Sequence, residues 1–472
     1  MTLNTSPPAC EVRQFPPRSL LQRMDGPGPR YTSYPTADRF EAFGADRLED
    51  AFAERRRMEE ADSFTPLSLY IHIPFCESVC YYCACNKVIT KHHERAKPYL
   101  DALGVELDLV TDAIGWQRSL AQIHLGGGSP TFLSDTELSE LMTAVRGAFF
   151  VNPDAEISIE IDPRTFTGSR LEHLRGLGFN RLSFGVQDFD PDVQEAVHRV
   201  QSFDSVSDLM RQARALGFKS INADLIYGLP RQTPASFERT IAQISSLRPD
   251  RIALYAYAHL AERFKPQRRI DIKELPTPVA RVEMLAAAMA GFQGVGYAYI
   301  GMDHFALPDD ALAIAQREGR LHRNFQGYST HPDCDLVGLG VSAIGRIGRH
   351  YYQNAKTLPD YYAALEAGKL PVVKGLTLGT DDLVRRDVIM ALMCHGRVEF
   401  AAIERAHGLR MREAFADELA QLMPMVADGL VTLDDHAIEV TRNGWFVVRA
   451  VALVFDRYLK DSASRDRFSK IV

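Results

Sequence analysis

Between residues 68 and 301, short apolar runs alternate with longer amphipathic stretches. The runs have the length of strands, and the stretches between them carry apolar residues at helical spacing. We therefore predict seven buried strands. Their bounds are Ser68–Phe75, Ala121–Leu125, Ile157–Ile161, Arg181–Val186, Ile221–Ile226, Ile252–Tyr257 and Tyr297–Gly301. Strands that alternate with helices form βαβ units, so we predict an α/β fold with a parallel sheet, arranged as a full or partial (β/α) barrel.

Two of the amphipathic stretches begin with helix-start signals. Ser134 and Glu137 have the spacing of a capping box. Thr233 stands before Pro234, as an N-cap residue stands before a proline at the first helical position. These signals support helices between the second and third strands and between the fifth and sixth.

Residues able to carry chemistry collect where the predicted strands end. A cysteine cluster follows the first strand and the glycine triplet 126–128 follows the second. Glu160, Gln187 and Asp224 end or lie on the next three strands. Because active sites of such sheets lie beyond the carboxyl ends of the strands, we expect these residues to share one site. Taken singly, a glycine triplet is also typical of a simple turn, and Glu160 or Asp224 of a helix cap.

The regions on either side of this pattern predict two further domains. Residues 1–65 are irregular and rich in proline, and their aromatic segment Gly28–Thr36 predicts a wrapping arm or a substrate lid. Residues 66–368 form the predicted barrel, and residues 369–472 form a mainly helical domain. The predicted elements of that last domain are helices at Asp381–Met393, Arg410–Met423 and Trp445–Leu459, with a hairpin at Gly429–Thr441. They resemble a winged-helix module, whose role would be packing, closure of the site or DNA binding.

Composition narrows the class of protein. The 472 residues are 46% hydrophobic and 24% charged, which is typical of a globular chain and excludes a disordered or fibrous one. A net charge of −7 argues against a large nucleic-acid-binding surface. The longest uncharged stretch, Met284–Met302, contains four glycines and a glutamine, and we expect no membrane span. The N-terminus shows no secretory signal, so we expect a cytoplasmic protein.

Four of the seven cysteines lie within ten residues, at Cys76, Cys80, Cys83 and Cys85. The spacing C-x3-C-x2-C directly after a strand suits three corners of a cubane iron–sulfur cluster, with the fourth iron open to a small molecule. A zinc site that uses Cys85 as its fourth ligand is an alternative, although zinc sites prefer two separated pairs. Another alternative is a cluster with a purely structural role.

The sequence around these cysteines resembles a known superfamily. It reads Tyr70-Ile-His-Ile-Pro-Phe-Cys76-x3-Cys80-Tyr-Tyr-Cys83, which resembles the radical S-adenosylmethionine (radical SAM) superfamily. Further segments narrow the resemblance to the family of oxygen-independent coproporphyrinogen III oxidases, from about residue 20 to the C-terminus. These segments are Pro29–Thr36, Cys85–Lys87, Asn180–Ser183, Asp224–Pro230, Gly301–Phe305 and Leu321–Tyr328.

The resemblance implies an oxidoreductase of heme biosynthesis. In the superfamily, SAM chelates the open iron of a [4Fe-4S] cluster, the reduced cluster splits SAM, and a 5′-deoxyadenosyl radical abstracts a hydrogen atom. In the family, two propionate side chains of coproporphyrinogen III become vinyl groups, which gives protoporphyrinogen IX. The cofactor carries out this chemistry while the protein positions it.

The resemblance also implies site residues. Cys76, Cys80 and Cys83 would hold the cluster, and Tyr70, Gly127 and Glu160 would bind the first of two SAM molecules. The positions implied for the second SAM are Tyr82, Gly128, Ser129, Gln187, Arg199, Asp224, Ala258 and Ile344. Glycine allows close approach of the backbone, a carboxylate suits ribose hydroxyls, and Arg199 suits a carboxylate. Position 129 is Thr in the family and Ser here, which keeps the hydroxyl.

Three further residues are hypotheses. Cys85 marks the oxidases without being a cluster ligand, and we hypothesise that it relays a hydrogen atom or a proton near the substrate. Arg30 and Arg323 are candidates for binding the four substrate carboxylates. His72, in the strand before the cluster, is instead expected to be a core residue.

An unidentified electron donor and an unidentified acceptor are implied, and we expect a monomer without nucleic-acid or membrane partners.

Other functions are possible for this pattern. Heme chaperones share the fold and the C-x3-C-x2-C motif, but they carry Phe where this chain has Cys85 and lack the Arg30–Thr36 arm. A radical SAM enzyme that opens the heme ring is disfavoured for the same two reasons. A DNA-binding regulator built on the C-terminal module is a further alternative, which the charge of the chain disfavours.

Overall fold

A computed structural model of the chain describes residues 26–60, 65–331 and 334–459, together with positions 23 and 468. The predictions for residues 1–22, including Cys10, and for residues 469–472 lie outside the described residues. Within the described part, no helix is both long enough and apolar enough to span a membrane.

The described residues form one large sheet of 13 strands, and seven neighbouring strands in it are parallel. In spatial order these seven are Asp335–Leu339, Leu67–Ile73, Ser119–Gly127, Phe150–Ile161, Arg181–Gln187, Ser220–Tyr227 and Arg251–Ala256. Six of them are the strands predicted from the apolar runs. Strand Leu67–Ile73 is buried on both faces, with Leu67, Leu69, Ile71 and Ile73 fully buried. Strand Arg181–Gln187 instead alternates buried and partly exposed positions.

Antiparallel strands extend both edges of the parallel region. On one side these are Ile344–Ile347, His350–Asn354, Val372–Thr377 and Glu41–Ala42. On the other side are His304–Ala306 and Ala298–Gly301. Hydrogen bonds do not join the two outermost strands, so the fold is an open, partial barrel.

For the seventh predicted strand, the prediction of parallel pairing is wrong. It exists as Ala298–Gly301, but it pairs antiparallel with His304–Ala306. Gly301 and Met302 both have positive φ, at 142° and 49°, and turn the chain straight back. A parallel neighbour would require a long crossover connection at this point.

Helices connect the strands and cover the sheet. Up to the end of the barrel they are Ala45–Glu60, Ala96–Ile114, Asp135–Ala148, Ser169–Gly176, Pro191–Ala196, Phe203–Ala215, Pro234–Leu247, Pro278–Gly294, Ala311–Arg317 and Leu358–Glu366. The first of them shows that the prediction of an irregular segment over residues 1–65 is wrong for its last third. Both predicted helix starts are confirmed. Ser134 and Glu137 cap each other's backbone, and Thr233 caps the helix that begins at Pro234.

The C-terminal region combines helices with a small sheet, as predicted. Its helices are Thr380–His395, Phe400–His407, Met411–Ala414, Ala416–Ala427 and Val448–Leu453, and its strands are Arg397–Glu399, Val431–Leu433 and Ala437–Val440. The predicted helix at 410–423 is broken at Phe415, whose φ of −121° and ψ of 29° are not helical. The predicted final helix is shorter and follows a 3-10 turn at Gly444–Val447.

The boundaries of the three domains stay a prediction. Strand Val372–Thr377, which the predicted division assigns to the C-terminal domain, is hydrogen-bonded into the large sheet. The described part of the arm is held from the opposite end of the chain, because the hydroxyl of buried Tyr31 donates to Asp456 at 3.0 Å. Arg449 donates to the carbonyl of Pro29 at 3.0 Å. These contacts tie the described part of the arm to the C-terminal region, and its role as a wrapping arm or a substrate lid stays a prediction.

A buried carboxylate joins the helix layer to the antiparallel edge. Glu106 accepts hydrogen bonds from the Gly340 backbone amide at 2.7 Å, the Tyr361 hydroxyl at 2.6 Å and the Asn354 amide at 2.6 Å. Burial raises the pKa of Glu106 to about 7, although all three hydrogen bonds lower it. The side chain therefore changes charge near neutral pH.

We predict that Glu106→Gln alters the pH dependence of stability. The folded pKa of Glu106 lies above its unfolded value, so the wild type binds an extra proton when folded and loses stability as pH rises from about 4.5 to about 7. That loss amounts to about 3 kcal/mol. Urea unfolding of the apoprotein at several pH values should show this slope in the wild type and not in Glu106→Gln. Exposed Glu140, on the neighbouring helix, provides the control Glu140→Gln, and a constant stability difference between wild type and Glu106→Gln would contradict the prediction.

Candidate active site

A cavity of about 410 Å³ runs along the inside of the open sheet. One end is formed by the cysteine loop and by the carboxyl ends of the parallel strands. The cavity continues to side chains near the beginnings of these strands, including Gln122, Arg181 and Arg251. A hairpin formed by His322–Asn324 and Gly327–Ser329 contributes part of the wall. The predicted chemistry at the strand ends thus opens into one continuous space.

The cysteine loop begins where Pro74 ends the first parallel strand. The two short strands Phe75–Cys76 and Val88–Ile89 pair in parallel and frame the loop between them. Two hydrogen bonds hold it from outside: Tyr81 donates its backbone amide to Val197 at 2.9 Å, and Gln267 donates its side-chain amide to the Tyr82 carbonyl at 3.0 Å. The loop is therefore fixed at its base and at its tip.

The sulfur of Cys80 lies against two guanidinium groups. Arg164 and Arg199 each donate to Cys80 Sγ at 3.4 Å. Asp162 accepts from Arg164 at 2.6 Å and lies 3.4 Å from Arg199. Burial alone would raise the pKa of Asp162, but the two guanidiniums outweigh it and hold that pKa below its usual value. Two cationic donors therefore contact one of the three sulfur atoms of the C-x3-C-x2-C motif.

The thiols of Cys83 and Cys85 are hydrogen-bonded to each other. This bond, aided by nearby Lys87, outweighs burial and lowers the pKa of Cys83 to about 6, while it raises that of Cys85. Lys87 Nζ also donates to the carbonyls of both cysteines, at 3.1 and 3.3 Å. Cys85 is exposed toward the cavity. The fourth cysteine thus faces the space where a substrate would lie.

The donor set fits a cubane cluster better than a single metal ion. In the described residues, no three His, Cys, Asp or Glu side chains are arranged around a point where one ion could bind. A zinc ion needs its sulfur ligands about 2.3 Å from a common centre, whereas a cubane cluster spreads its three cysteine ligands over separate corners. Cys76, Cys80 and Cys83 all line the same end of the cavity. The chemistry of these thiols therefore fits a [4Fe-4S] cluster with one iron open.

The glycine triplet is required by close packing. Gly127 has a φ of 117°, and a Cβ atom there would lie 2.6 Å from the His72 ring. A Cβ atom at Gly128 would lie 2.7 Å from the Pro74 carbonyl oxygen. Larger side chains would displace the backbone that leads into the cysteine loop. The triplet is therefore more than a simple turn.

Glu160 lies beside this triplet and faces the cavity. It accepts a hydrogen bond from the Gly127 backbone amide at 3.2 Å and lies 3.5 Å from the ring of His124. Burial would raise the pKa of Glu160, but His124 and the Gly127 amide outweigh it and lower that pKa. Tyr70 stacks on His124 with 5.9 Å between ring centroids. The three positions predicted for the first SAM thus lie together, although Tyr70 itself does not line the cavity.

Tyr70 also contacts His72. The Tyr70 hydroxyl lies 3.0 Å from His72 Nδ1, and His72 Nε2 lies 2.9 Å from the Asn86 carbonyl oxygen. His72 is buried. It is therefore the satisfied core residue that the sequence predicts.

Six of the eight positions predicted for the second SAM line the cavity. They are Tyr82, Gly128, Ser129, Gln187, Arg199 and Asp224. The other two do not line it: Ala258 has its carbonyl hydrogen-bonded to Gln267 at 3.2 Å, and Ile344 packs in an apolar cluster with Phe40. All eight assignments stay predictions.

Asp224 lies deep in the interior of the sheet. It accepts hydrogen bonds from the Ser183 hydroxyl at 3.0 Å and from the Asn222 amide at 2.8 Å. Burial, together with the charge of Glu160, raises the pKa of Asp224 to about 6. Gln187 lies nearby, at a bulge between neighbouring strands, with a φ of 68°. A carboxylate that changes charge near pH 6 is thus placed in the cavity.

Several cavity residues were not singled out from the sequence. Asp162 and Arg164 directly follow strand Phe150–Ile161. The rule that active-site residues lie at the carboxyl ends of parallel strands, which located Glu160, could have located them as well. Tyr255 and His304 also line the cavity, and His304 lies in a segment that carries the family resemblance.

Arg30, which the sequence analysis considers for substrate binding, forms an ion pair with Asp303.

The fold and the cysteine loop define the class of protein. The family model described as "Radical SAM superfamily" matches residues 70–244, and the model described as "HemN C-terminal domain" matches residues 378–447. The first match contains the cysteine loop, the glycine triplet and Asp224. The second lies within the C-terminal region of helices and small sheet.

Similar proteins extend the match to nearly the whole chain. The chain is 49% identical to the oxygen-independent coproporphyrinogen III oxidase of Pseudomonas aeruginosa, over 96% of this chain and 98% of the relative. It is 46% identical to the protein of that name from Escherichia coli, with the same coverage. The solved structure titled "Coproporphyrinogen III oxidase (HemN) from Escherichia coli is a Radical SAM enzyme" matches with a TM-score of 0.90 and 44% identity, over 95% of this chain and all of that one. The chain belongs to the family of oxygen-independent coproporphyrinogen III oxidases.

The geometry of the loop predicts different effects for neighbouring cysteines. In Cys83→Ser the cluster loses one of three protein ligands, so iron content after anaerobic reconstitution should fall far below about four irons per chain. In Cys85→Ser it should stay at the wild-type value. Iron analysis and the visible absorption of the cluster measure both. Loss of the cluster in Cys85→Ser would show that Cys85 is a ligand.

Proposed function

We propose that this chain converts coproporphyrinogen III to protoporphyrinogen IX without oxygen. The observation that carries the proposal is its likeness, over 96% of its length, to relatives that bear the name of this activity. The cavity supports it, because the cysteine loop opens directly into a space lined by polar and charged side chains. None of these relatives carries the name of a heme chaperone, so the comparisons do not favour that alternative.

The reaction oxidises two propionate groups. From each group one hydrogen atom is abstracted, the carboxylate leaves as CO2, one electron passes to an acceptor, and a vinyl group remains. No side-chain acid or base removes hydrogen from such a carbon, so a radical cofactor is required. The proposed reaction therefore needs the cluster, SAM, a reductant that charges the cluster and a terminal electron acceptor.

The residues of the chain have separate tasks in this scheme. Cys76, Cys80 and Cys83 would hold the cluster, which when bound supplies the electron that cleaves SAM. Glu160, with its lowered pKa, is ionised and can accept hydrogen bonds from ribose hydroxyls. Gly127 lets the backbone approach the same ligand. The chain thus binds and orients the reactants.

We also propose a second SAM molecule beside the first. Asp224 would face a cationic group of this SAM, and Arg199 would face its carboxylate. Arg199 is buried and forms bonds with Cys80 and the Gly185 carbonyl. It therefore lies between the cysteine loop and the proposed second SAM.

Cys85 is proposed to relay a hydrogen atom or a proton to or from the substrate. It faces the cavity, and its thiol is hydrogen-bonded to Cys83, one of the proposed cluster ligands. It therefore lies close to where a radical would form. The electron donor and acceptor, the monomeric state, the cytoplasmic location and the absence of nucleic-acid and membrane partners stay predictions.

The proposal is tested by anaerobic reconstitution of the cluster, followed by SAM, a strong reductant, coproporphyrinogen III and an electron acceptor. Mass spectrometry should detect protoporphyrinogen IX together with 5′-deoxyadenosine. The Cys85→Ser protein should form 5′-deoxyadenosine without the vinyl product. If the wild type forms 5′-deoxyadenosine but removes no carboxyl group, the substrate assignment is wrong and heme binding should be measured.

The second SAM site predicts a pH dependence of binding. Because Asp224 has a raised pKa of about 6, its carboxylate ionises as pH rises through that value, and affinity for cationic SAM should increase. Equilibrium dialysis of wild type between pH 5 and 7.5 should show two bound SAM molecules at high pH and a weaker second one at low pH. Asp224→Asn should lack this change, whereas Asp309→Asn, at an exposed position, should retain it. One bound SAM in the wild type at every pH would contradict the second site.

A further inference from the structure

In and directly behind one part of the cavity wall lie buried polar groups that have no hydrogen-bond partner. In the described residues these are Nε and Nη1 of Arg323, Nδ1 of His304 and Nε2 of Gln326. An unsatisfied buried group is costly, because it has lost its hydrogen bonds to water and gained none in the protein. Three such residues in one wall indicate a ligand that supplies the missing hydrogen bonds.

Two of these side chains contact the ring of Tyr328, and the third lies in the turn before it. The Arg323 guanidinium lies 4.5 Å from the centre of that ring, and the His304 ring meets it edge-on with 5.3 Å between centroids. Gln326 lies in the turn that precedes Tyr328, and a Cβ atom at Gly327 would lie 3.8 Å from His304 Nε2. Gln326, His304 and Tyr328 line the cavity. The guanidinium is therefore directly behind the wall.

The positive charge of Arg323 is not compensated by a carboxylate in the described part of the chain. The four arginines that line the cavity each lie beside a carboxylate: Arg181 beside Glu156, Arg251 beside Asp310 at 2.7 Å, and Arg164 and Arg199 beside Asp162, which they share. Arg323 is 4% exposed and has no such partner. A buried cation without a counter-ion is costly, and an anionic ligand offsets that cost.

Arg30, the second arginine considered for the substrate, is in a different state. It forms an ion pair with Asp303 and lies 5.2 Å from the ring centre of Tyr255. Its charge is therefore already neutralised within the protein. Burial and the charge of Arg323 together lower the pKa of His304 to about 3, so its imidazole is neutral and able to donate or accept one hydrogen bond.

We propose that Arg323, Gln326 and His304 bind one carboxylate of the substrate. A guanidinium and a side-chain amide are donors, and a carboxylate supplies two acceptor oxygens in the planar geometry that arginine matches. The inference rests on the proposed function, since that function supplies a substrate with four carboxylates. It assigns Arg323, rather than Arg30, to the substrate.

The test measures binding of coproporphyrin III, the stable fluorescent form of the tetra-acid ring, and of its uncharged tetramethyl ester. Arg323→Gln should weaken binding of the tetra-acid about 10-fold or more and leave binding of the ester unchanged. The affinity of Arg323→Lys for the tetra-acid should lie between those of the wild type and Arg323→Gln, because lysine keeps the positive charge but lacks the paired donors of the guanidinium. Arg320→Gln is the matched control, since Arg320 is exposed, lies three residues away and pairs with Glu318 at 2.9 Å.

Equal affinity of wild type and folded Arg323→Gln for the tetra-acid would overturn the inference, as would an equal loss for acid and ester. If Arg323→Gln does not fold, as judged by circular dichroism and iron content, Gln326→Met provides the test and should also weaken only the tetra-acid. Turnover of coproporphyrinogen III by the wild type is measured in parallel. Failure of that turnover counts against the proposed function, whereas normal turnover with an unchanged KM in Arg323→Gln counts against this inference alone.

Discussion

The carboxylate of Asp162 holds two guanidinium groups against the sulfur of Cys80, and the cysteine loop depends on this contact. Arg164 lies in the turn after strand Phe150–Ile161, and Arg199 lies beyond strand Arg181–Gln187. Without Asp162, the two cations would lie side by side in a buried space and repel each other. With it, they give the sulfur two donors. The loop is thus tied to two neighbouring strand ends by charge as well as by its backbone.

The same principle organises the rest of the cavity. A parallel sheet normally fills its interior with apolar side chains, but here Glu156, Arg181 and Arg251 line the interior. They are tolerated because each has a partner of opposite charge. Arg323 departs from this arrangement, because it has no carboxylate partner in the described part of the chain, and the proposed substrate carboxylate would complete it. The charges inside the sheet are therefore balanced mainly by partners within the protein.

The apolar runs predicted the central strands well because each of these strands carries fully buried apolar side chains on at least one face. The strands from Asp335 to Thr377 were missed, since they are short, contain glycines and polar residues, and lie toward one edge of the sheet. The chain reversal at Gly301 and Met302 was missed because a positive φ at a residue such as Met302 leaves no signal in the hydrophobic pattern. Local patterns thus identify the middle of this sheet better than its edges.

For the site, the sequence located groups that follow strands directly, and it could not show which charges are paired. Nothing in the sequence distinguishes Arg30 from Arg323, since both lie in segments that resemble the family. In the structure, Arg30 forms an ion pair with Asp303, whereas Arg323 lies over the ring of Tyr328. Pairing depends on contacts between distant parts of the chain, which spacing does not encode.

Those distant contacts also explain how the C-terminal region acts on a cavity formed mainly by the sheet. The Tyr328 hydroxyl donates to the carbonyl of Met393 at 2.9 Å, so helix Thr380–His395 holds the ring around which Arg323 and His304 are arranged. The cysteine loop is anchored by Val197 and Gln267, which lie outside the C-terminal region. The two ends of the cavity are therefore supported by different parts of the chain. A change in the C-terminal helix should act first on the wall near Tyr328, because the contacts of the cysteine loop do not pass through it.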